Sequence, residues 1–193
     1  ALRAEAHRRW NEDLGRIRVE GGTDAQKRVF YTGLYHALIH PNLLSDVNGE
    51  YPLMETPGGV GVSEAGDRYT VFSLWDTYRS QNQLLALLRP QRTRDIARSV
   101  LAIQEQGGWL PRWGYANFDT NIMTGDPVTP WLVDLWRFGA LQGRERQAWQ
   151  ALWQNASGRP PMGSRAQGRA GNDNYLANGY VEYDRAYPSK GMD

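Results

Sequence analysis

GGWLPRWGYANFDTNIMTGDPVTPWLVDLWR (107–137) joins what read as two helices through a long, aromatic connection. Before it, PQRTRDIARSVLAIQEQGG places Ile96, Val100, Leu101 and Ile103 on one side of a helix, and the paired glycines end that helix. After it, DPVTPWLVDLWRFGALQG reads as a further helix, with Pro127 or Pro130 suited to its first turn and Asp126 suited to its cap. The run between them is too rich in Trp, Gly, Asn and Asp to be helical. The unit is therefore helix, long connection, helix, with a single acid, Asp119, in the middle of the connection.

The same alternation extends outward. ALRAEAHRRWNEDLGRIRV has Leu2, Trp10, Leu14 and Ile17 near helical spacing, and EGGT breaks it. Thr23 or Asp24 can cap a second helix, whose stripe is Val29, Phe30, Leu34, Leu38 and Ile39, and Pro41 and Asn42 end it. From Asn42 to Thr70 the glycines and prolines predict a long loop with at most a short hairpin. VFSLWDTYRSQNQLLALLRP (71–90) predicts one continuous helix, and RERQAWQALWQNASG predicts another. Beyond Gly158 no helical periodicity is evident. The expected fold is mainly α, an antiparallel helical array whose connections gather at one end, where functional residues tend to lie.

Composition narrows the function. Net charge is +1, with 22 basic and 21 acidic residues well mixed, which disfavours nucleic-acid or membrane-surface partners held by bulk electrostatics. Lys27 and Lys190 are the only lysines among the basic residues. No apolar run is long enough to cross a bilayer, and no signal-peptide pattern opens the chain. The absence of cysteine excludes disulfides, thiolate metal sites and a cysteine nucleophile. Eight Trp and ten Tyr against four Phe favour side chains with an apolar face and a polar tip, which suit the wall of a half-wet cleft such as a sugar requires.

Several chemistries find no motif: there is no phosphate-binding loop, no GxGxxG, no HExxH and no G-x-S-x-G elbow. His36 and His40, four apart on one helical face, read as packing or capping residues near a helix end. What remain are carboxylates beside aromatics. Asp76, in SLWDTYR, is either a first-turn acid paired with Arg79 or a group turned toward a ligand. Asp119 is either an Asx-turn acid satisfying nearby amides or a proton donor facing a cleft.

FYTGLYHALIHPN, YTVFSLWDTYR, EQGGWLPRW and NFDTNIMTGDPVTP, in this order and at these separations, resemble glycoside hydrolase family 92, from about Arg8 to Asp184. The resemblance implies a calcium-dependent, inverting, exo-acting α-mannosidase whose catalytic domain is an (α/α)6 barrel preceded by a β-sandwich. It places Asp119 on the family's general acid, with Asp standing where the family usually has Glu. It places Asp76 on the acid that holds hydroxyls of the terminal mannose, and Trp75, Arg79 and Trp113 around the same pocket. The GNDN at 171–174 precedes NGYV rather than the family's acidic loop, so Asp173 is not taken as the general base.

The expected organisation is an incomplete (α/α)6 catalytic domain over 1–193, lacking the sandwich and the C-terminal part of the barrel. The general base and the calcium ligands are expected outside this chain, and the expected partners are mannose-containing glycans and the remainder of the same polypeptide. Family resemblance implies an extracellular or periplasmic location. Two rival readings stand beside this one. One is a non-catalytic carbohydrate-binding or scaffold remnant of a helical barrel. The other is a sugar epimerase, which would want catalytic histidines on the connections.

Overall fold

The computed structural model describes residues 1–181, so the end of the resembling stretch, Asp184, lies outside the described residues. Two compact units are distinguished, Ala1–His40 and the remainder from Pro41. The first is a helical hairpin of α1 (Leu2–Leu14) and α2 (Asp24–Ile39). Thr23 and Gln26 form a capping box at the start of α2: the Thr23 hydroxyl accepts from the Gln26 amide at 3.2 Å, and the Gln26 side chain accepts from the Thr23 amide at 2.8 Å. The Tyr31 hydroxyl donates to the Ile17 carbonyl at 3.0 Å, and Trp10 lies against Tyr35 with ring centroids 4.5 Å apart. The expected apolar stripes are only partly covered. No α1 side chain is buried, and in α2 Leu34 and Leu38 are buried while Val29 and Phe30 are exposed.

In the second unit, the Gly/Pro-rich segment is more ordered than a long loop. β1 (Asn42–Leu43), β2 (Glu50–Pro52), β3 (Val60–Val62) and β4 (Tyr69–Thr70) pair as two antiparallel ladders, β1 with β4 and β2 with β3. Side chains of the following helices hold them: Ser99 Oγ accepts from the Tyr69 amide at 2.9 Å, and Gln106 accepts from the Met54 amide at 3.0 Å.

The helix expected over 71–90 is interrupted. Its parts are α3 (Leu74–Thr77) and α4 (Gln81–Leu88), separated at Ser80, whose φ of +62° cannot continue a right-handed helix. Then follows α5 (Pro90–Gly107), with Pro90 in its first turn and Gly108 ending it at φ +76°. The aromatic connection contains a minimal hairpin, β5 (Gly114–Tyr115) with β6 (Phe118–Asp119), and leads into α6 (Val128–Arg137) and α7 (Glu145–Ser157). A short helix that periodicity does not reveal, α8 (Asn172–Asn178), lies beyond Gly158.

The core is built where α4, α5, α6 and α7 meet. Leu85, Ile96, Val100, Leu101, Trp131, Leu132 and Leu135 are buried there, with Ala148 and Ala151 allowing α7 to approach closely. Fully burying one large apolar side chain contributes about 1.5–3 kcal/mol, so this cluster is the main stabilising feature of the unit. Trp131 also ties the core to the short helix α3: its Nε1–H donates to Thr77 Oγ1 at 3.0 Å, and its ring meets Phe72 edge-on at 6.2 Å between centroids. The connections bearing Asp76 and Asp119 are thereby anchored to a packed base.

Candidate active site

Asp119 ends the β5–β6 hairpin and is 6% exposed. Its carboxylate accepts three backbone N–H groups: Oδ2 from Arg112 at 2.6 Å, and Oδ1 from Trp113 at 3.1 Å and Asn121 at 2.9 Å. An ionised carboxylate offers about four lone-pair positions. Three are thus engaged, and the one remaining is on Oδ2. Asp119 therefore satisfies nearby amides, as an Asx-turn acid does, and one lone-pair position on Oδ2 has no hydrogen-bond partner among the described residues.

Asp76 occupies the first turn of α3 and is exposed. Its Oδ2 accepts a short hydrogen bond from the Ser73 hydroxyl. That hydroxyl also accepts the indole N–H of Trp113 at 3.1 Å, so Asp76, Ser73 and Trp113 form one cluster, and the Trp113 amide continues it to Asp119. The structure thus links the two acid-bearing motifs. Arg79 does not join them as expected of a helical pair. Its guanidinium lies 5.6 Å from the Tyr78 ring centroid, and among the described residues it forms no ion pair with Asp76.

Trp75 stands at the edge of this cluster, 37% exposed. Its Nε1–H makes a short hydrogen bond to the Thr124 carbonyl, and its ring meets Tyr78 edge-on at 6.3 Å. Gly125 permits this placement. Its φ is +80°, and a Cβ there would come within 2.9 Å of Trp75 Cζ2. Trp113 stacks with Tyr115 at 6.4 Å, leaving Tyr115 about half exposed. Trp75 and Trp113 combine ring faces with polar partners, and Tyr115 adds a half-exposed ring, as sugar contacts require.

The connection is held in a strained form. Ala116, Asn121 and Met123 have positive φ, as does Val71 just before α3, a conformation that costs a non-glycine residue about 1–3 kcal/mol. Surrounding contacts over-determine it at Asn121: its side chain donates to the Arg165 carbonyl at 2.8 Å and accepts from the Gln167 amide at 3.1 Å. Asp126 does not cap α6. Pro127 takes that position, and the Asp126 carboxylate instead pairs with Arg169 at 2.6 Å and accepts from Thr129 Oγ1 at 3.2 Å. The segment 165–169 is in this way strapped to the Asp119 connection. Sequence reasoning missed Ser73 and Asn121; the signal for Ser73 was its place immediately before a helix start.

A cavity of about 350 Å³ lined by Arg159, Pro160, Arg169, Asn172 and Asp173 contains none of the expected site residues. Its charged groups are already paired, Arg159 with Asp173 at 2.7 Å and Arg169 with Asp126. Among the described residues, no three His, Asp or Glu side chains converge in a way that could hold a metal ion. No carboxylate cluster among the described residues therefore supplies a ligand set for the calcium that the resemblance implies. His36 lies in the last turn of α2 with its ring 5.6 Å from that of Tyr35, and His40 is the C-cap residue; both are exposed. No helix among the described residues is long and apolar enough to cross a membrane.

Comparison with known proteins agrees with this architecture. A family model described as the glycosyl hydrolase family 92 catalytic domain matches residues 1–192. Comparison with curated proteins returned no match. Among solved structures, a family GH92 alpha-mannosidase of Bacteroides thetaiotaomicron in complex with mannoimidazole is 29% identical; the match covers 95% of this chain and 23% of that one, with a TM-score of 0.80. A family GH92 inverting mannosidase of Bacteroides thetaiotaomicron VPI-5482 is 31% identical, with coverage of 93% and 24% and a TM-score of 0.78. The chain spans about a quarter of the length of these structures, and its helices fit their mainly α, helical-barrel-like fold. With the family model matched over nearly its whole length, the chain belongs to the glycosyl hydrolase family 92 catalytic domain.

Proposed function

We propose that this chain contributes the sugar-holding and proton-donating side of an exo-acting, inverting α-mannosidase site. The observation that carries the reading is the hydrogen-bonded link from Asp76 through Ser73 and Trp113 to Asp119, which joins the two motifs that the family resemblance makes functional. Asp76 accepts hydroxyls of the terminal mannose, with Trp75, Trp113 and Arg79 lining or bracing the pocket. Asp119 protonates the departing oxygen from Oδ2, the oxygen with an uncommitted lone pair.

Inversion also needs a base on the opposite face of the sugar, with the two carboxyls roughly 6.5–9.5 Å apart to admit water. We assign that base, the calcium ligands and the β-sandwich to the rest of a longer polypeptide, 1–193 being part of an (α/α)6 barrel. The substrates are mannose-containing glycans, and the location is extracellular or periplasmic. The test is hydrolysis of an α-mannoside by the full polypeptide, followed by NMR of the anomeric proton. Release of β-mannose, lost on chelation of calcium, is expected. Release of α-mannose would overturn the inverting assignment.

A second reading is favoured by the three amides on Asp119. In it Asp119 only organises the connection, and the Trp/Asp76 cluster binds sugar without turnover. Binding of mannoimidazole with no hydrolysis of any α-mannoside would select it.

A further inference from the structure

Ser73 is the N-cap residue of α3, where a serine hydroxyl ordinarily accepts from an amide two or three residues on, yet it makes no such bond. Its partners are side chains from two different motifs. The Trp113 indole N–H can only donate, so Ser73 Oγ accepts from it at 3.1 Å. An ionised Asp76 carboxylate can only accept, so the single Ser73 proton is committed to Asp76 Oδ2. The two bonds fix the hydroxyl's orientation between them. Trp113 lies 40 residues from Ser73 in the chain, and its own amide is held by Asp119.

We infer that Ser73 is a positioning residue that sets the Asp76 carboxylate and the Trp113 ring relative to one another. A polar contact and an apolar face are then presented together to one sugar ring. The inference rests on the reading that Asp76 and Trp113 hold the sugar, but the coupling itself exists in the free protein. An alanine at this position could neither accept nor donate, so both side chains would turn independently. Threonine keeps the hydroxyl; valine keeps threonine's shape without it.

The test uses the full polypeptide labelled with 5-fluorotryptophan, the Trp113 fluorine line being assigned by its loss in Trp113→Phe. Ser73→Ala is expected to shift that line and Ser73→Thr to leave it near its original place. Asp76→Asn, which alters only the far partner, is expected to shift it as well. A merely structural serine would not transmit the change, so an unmoved line in Asp76→Asn overturns the inference. Calorimetry with mannoimidazole gives the second readout: Ser73→Ala weakens binding about tenfold or more, as expected for loss of a charge-assisted hydrogen bond, and Ser73→Thr restores it. Unchanged affinity in Ser73→Ala also overturns the inference. Should Ser73→Ala fail to fold, the isosteric pair Ser73→Thr and Ser73→Val supplies the same comparison. A wild-type protein with no affinity for mannoimidazole contradicts the mannoside reading alone, and the fluorine shifts then decide the role of Ser73.

Discussion

Replacing Asp119 by asparagine separates the two roles its geometry allows. The carboxylate is acceptor-only, and three N–H donors point at it. An asparagine that keeps its oxygen in the Oδ1 position retains the bonds from Trp113 and Asn121. Its NH2 then faces the Arg112 amide, donor against donor, where a 2.6 Å bond stood. Reversing the amide saves that bond and loses the other two. The less costly orientation forfeits one hydrogen bond to a charged group, about 1.5–3 kcal/mol of stability. Denaturant titration of wild type and variant measures that loss. General acid catalysis contributes on the order of 10²–10⁴ in rate, so the variant should lose that much on alkyl α-mannosides. With a dinitrophenyl leaving group, which departs without a proton, the loss should largely vanish in the folded fraction. An equal loss on both leaving groups would refute the acid assignment and leave Asp119 as the residue that organises its connection.

Asp76→Ala should weaken mannoimidazole binding by about 1.5–3 kcal/mol, with a smaller change in melting because the side chain is exposed; a steep fall in melting with unchanged binding would make it a helix-start residue only. Gly125→Ala should displace Trp75 from the Thr124 carbonyl, since the added Cβ meets the indole at 2.9 Å and φ is +80°; quenching of the Trp75 signal by ligand, unchanged from wild type, would show the ring had not moved. Burial pushes the Tyr69 phenol up to about 12, Asp67 and Asp95 adding to the effect while the Arg92 guanidinium opposes it. Because the folded value is raised, this stabilisation is fully present below the ordinary tyrosine value near 10 and is lost as pH rises through about 12. Tyr69→Phe should flatten that alkaline loss, and an unaltered stability profile between those values would contradict it.

A cap at Thr23 or Asp24 and the amphipathic face of α5 were legible because each depends on residues within a few positions, whereas Pro90, read as closing the preceding helix, instead opens α5. Four motifs in register were enough to indicate the family, which the matched model bears out. Local rules reached further than helix boundaries, but not to the break at Ser80, where one positive φ divides an otherwise continuous apolar pattern. Nor did they foresee α8, whose seven residues are too few to show a period and bury no side chain. For Asp119 spacing alone favoured the Asx-turn reading, and only the family resemblance pointed to a proton donor.

What tertiary structure decided is which distant groups share a hydrogen bond. Asp126 is as close in sequence to the start of α6 as a cap must be, yet its carboxylate is claimed by Arg169, 43 positions away. Asp76 has Arg79 three residues on, yet its partner is Ser73, which in turn holds Trp113 across 40 positions. A single hydrogen bond contributes only about a kcal/mol, less than the packing of the helices that bring such groups together. The burial of Trp131, Leu132 and Leu135 against α4 and α5 therefore sets the paths of the connections, and the polar pairs form among whatever groups those paths deliver. Residue types and helical periods belong to the sequence. The joining of Asp76 to Asp119 through Ser73 and Trp113 belongs to the fold.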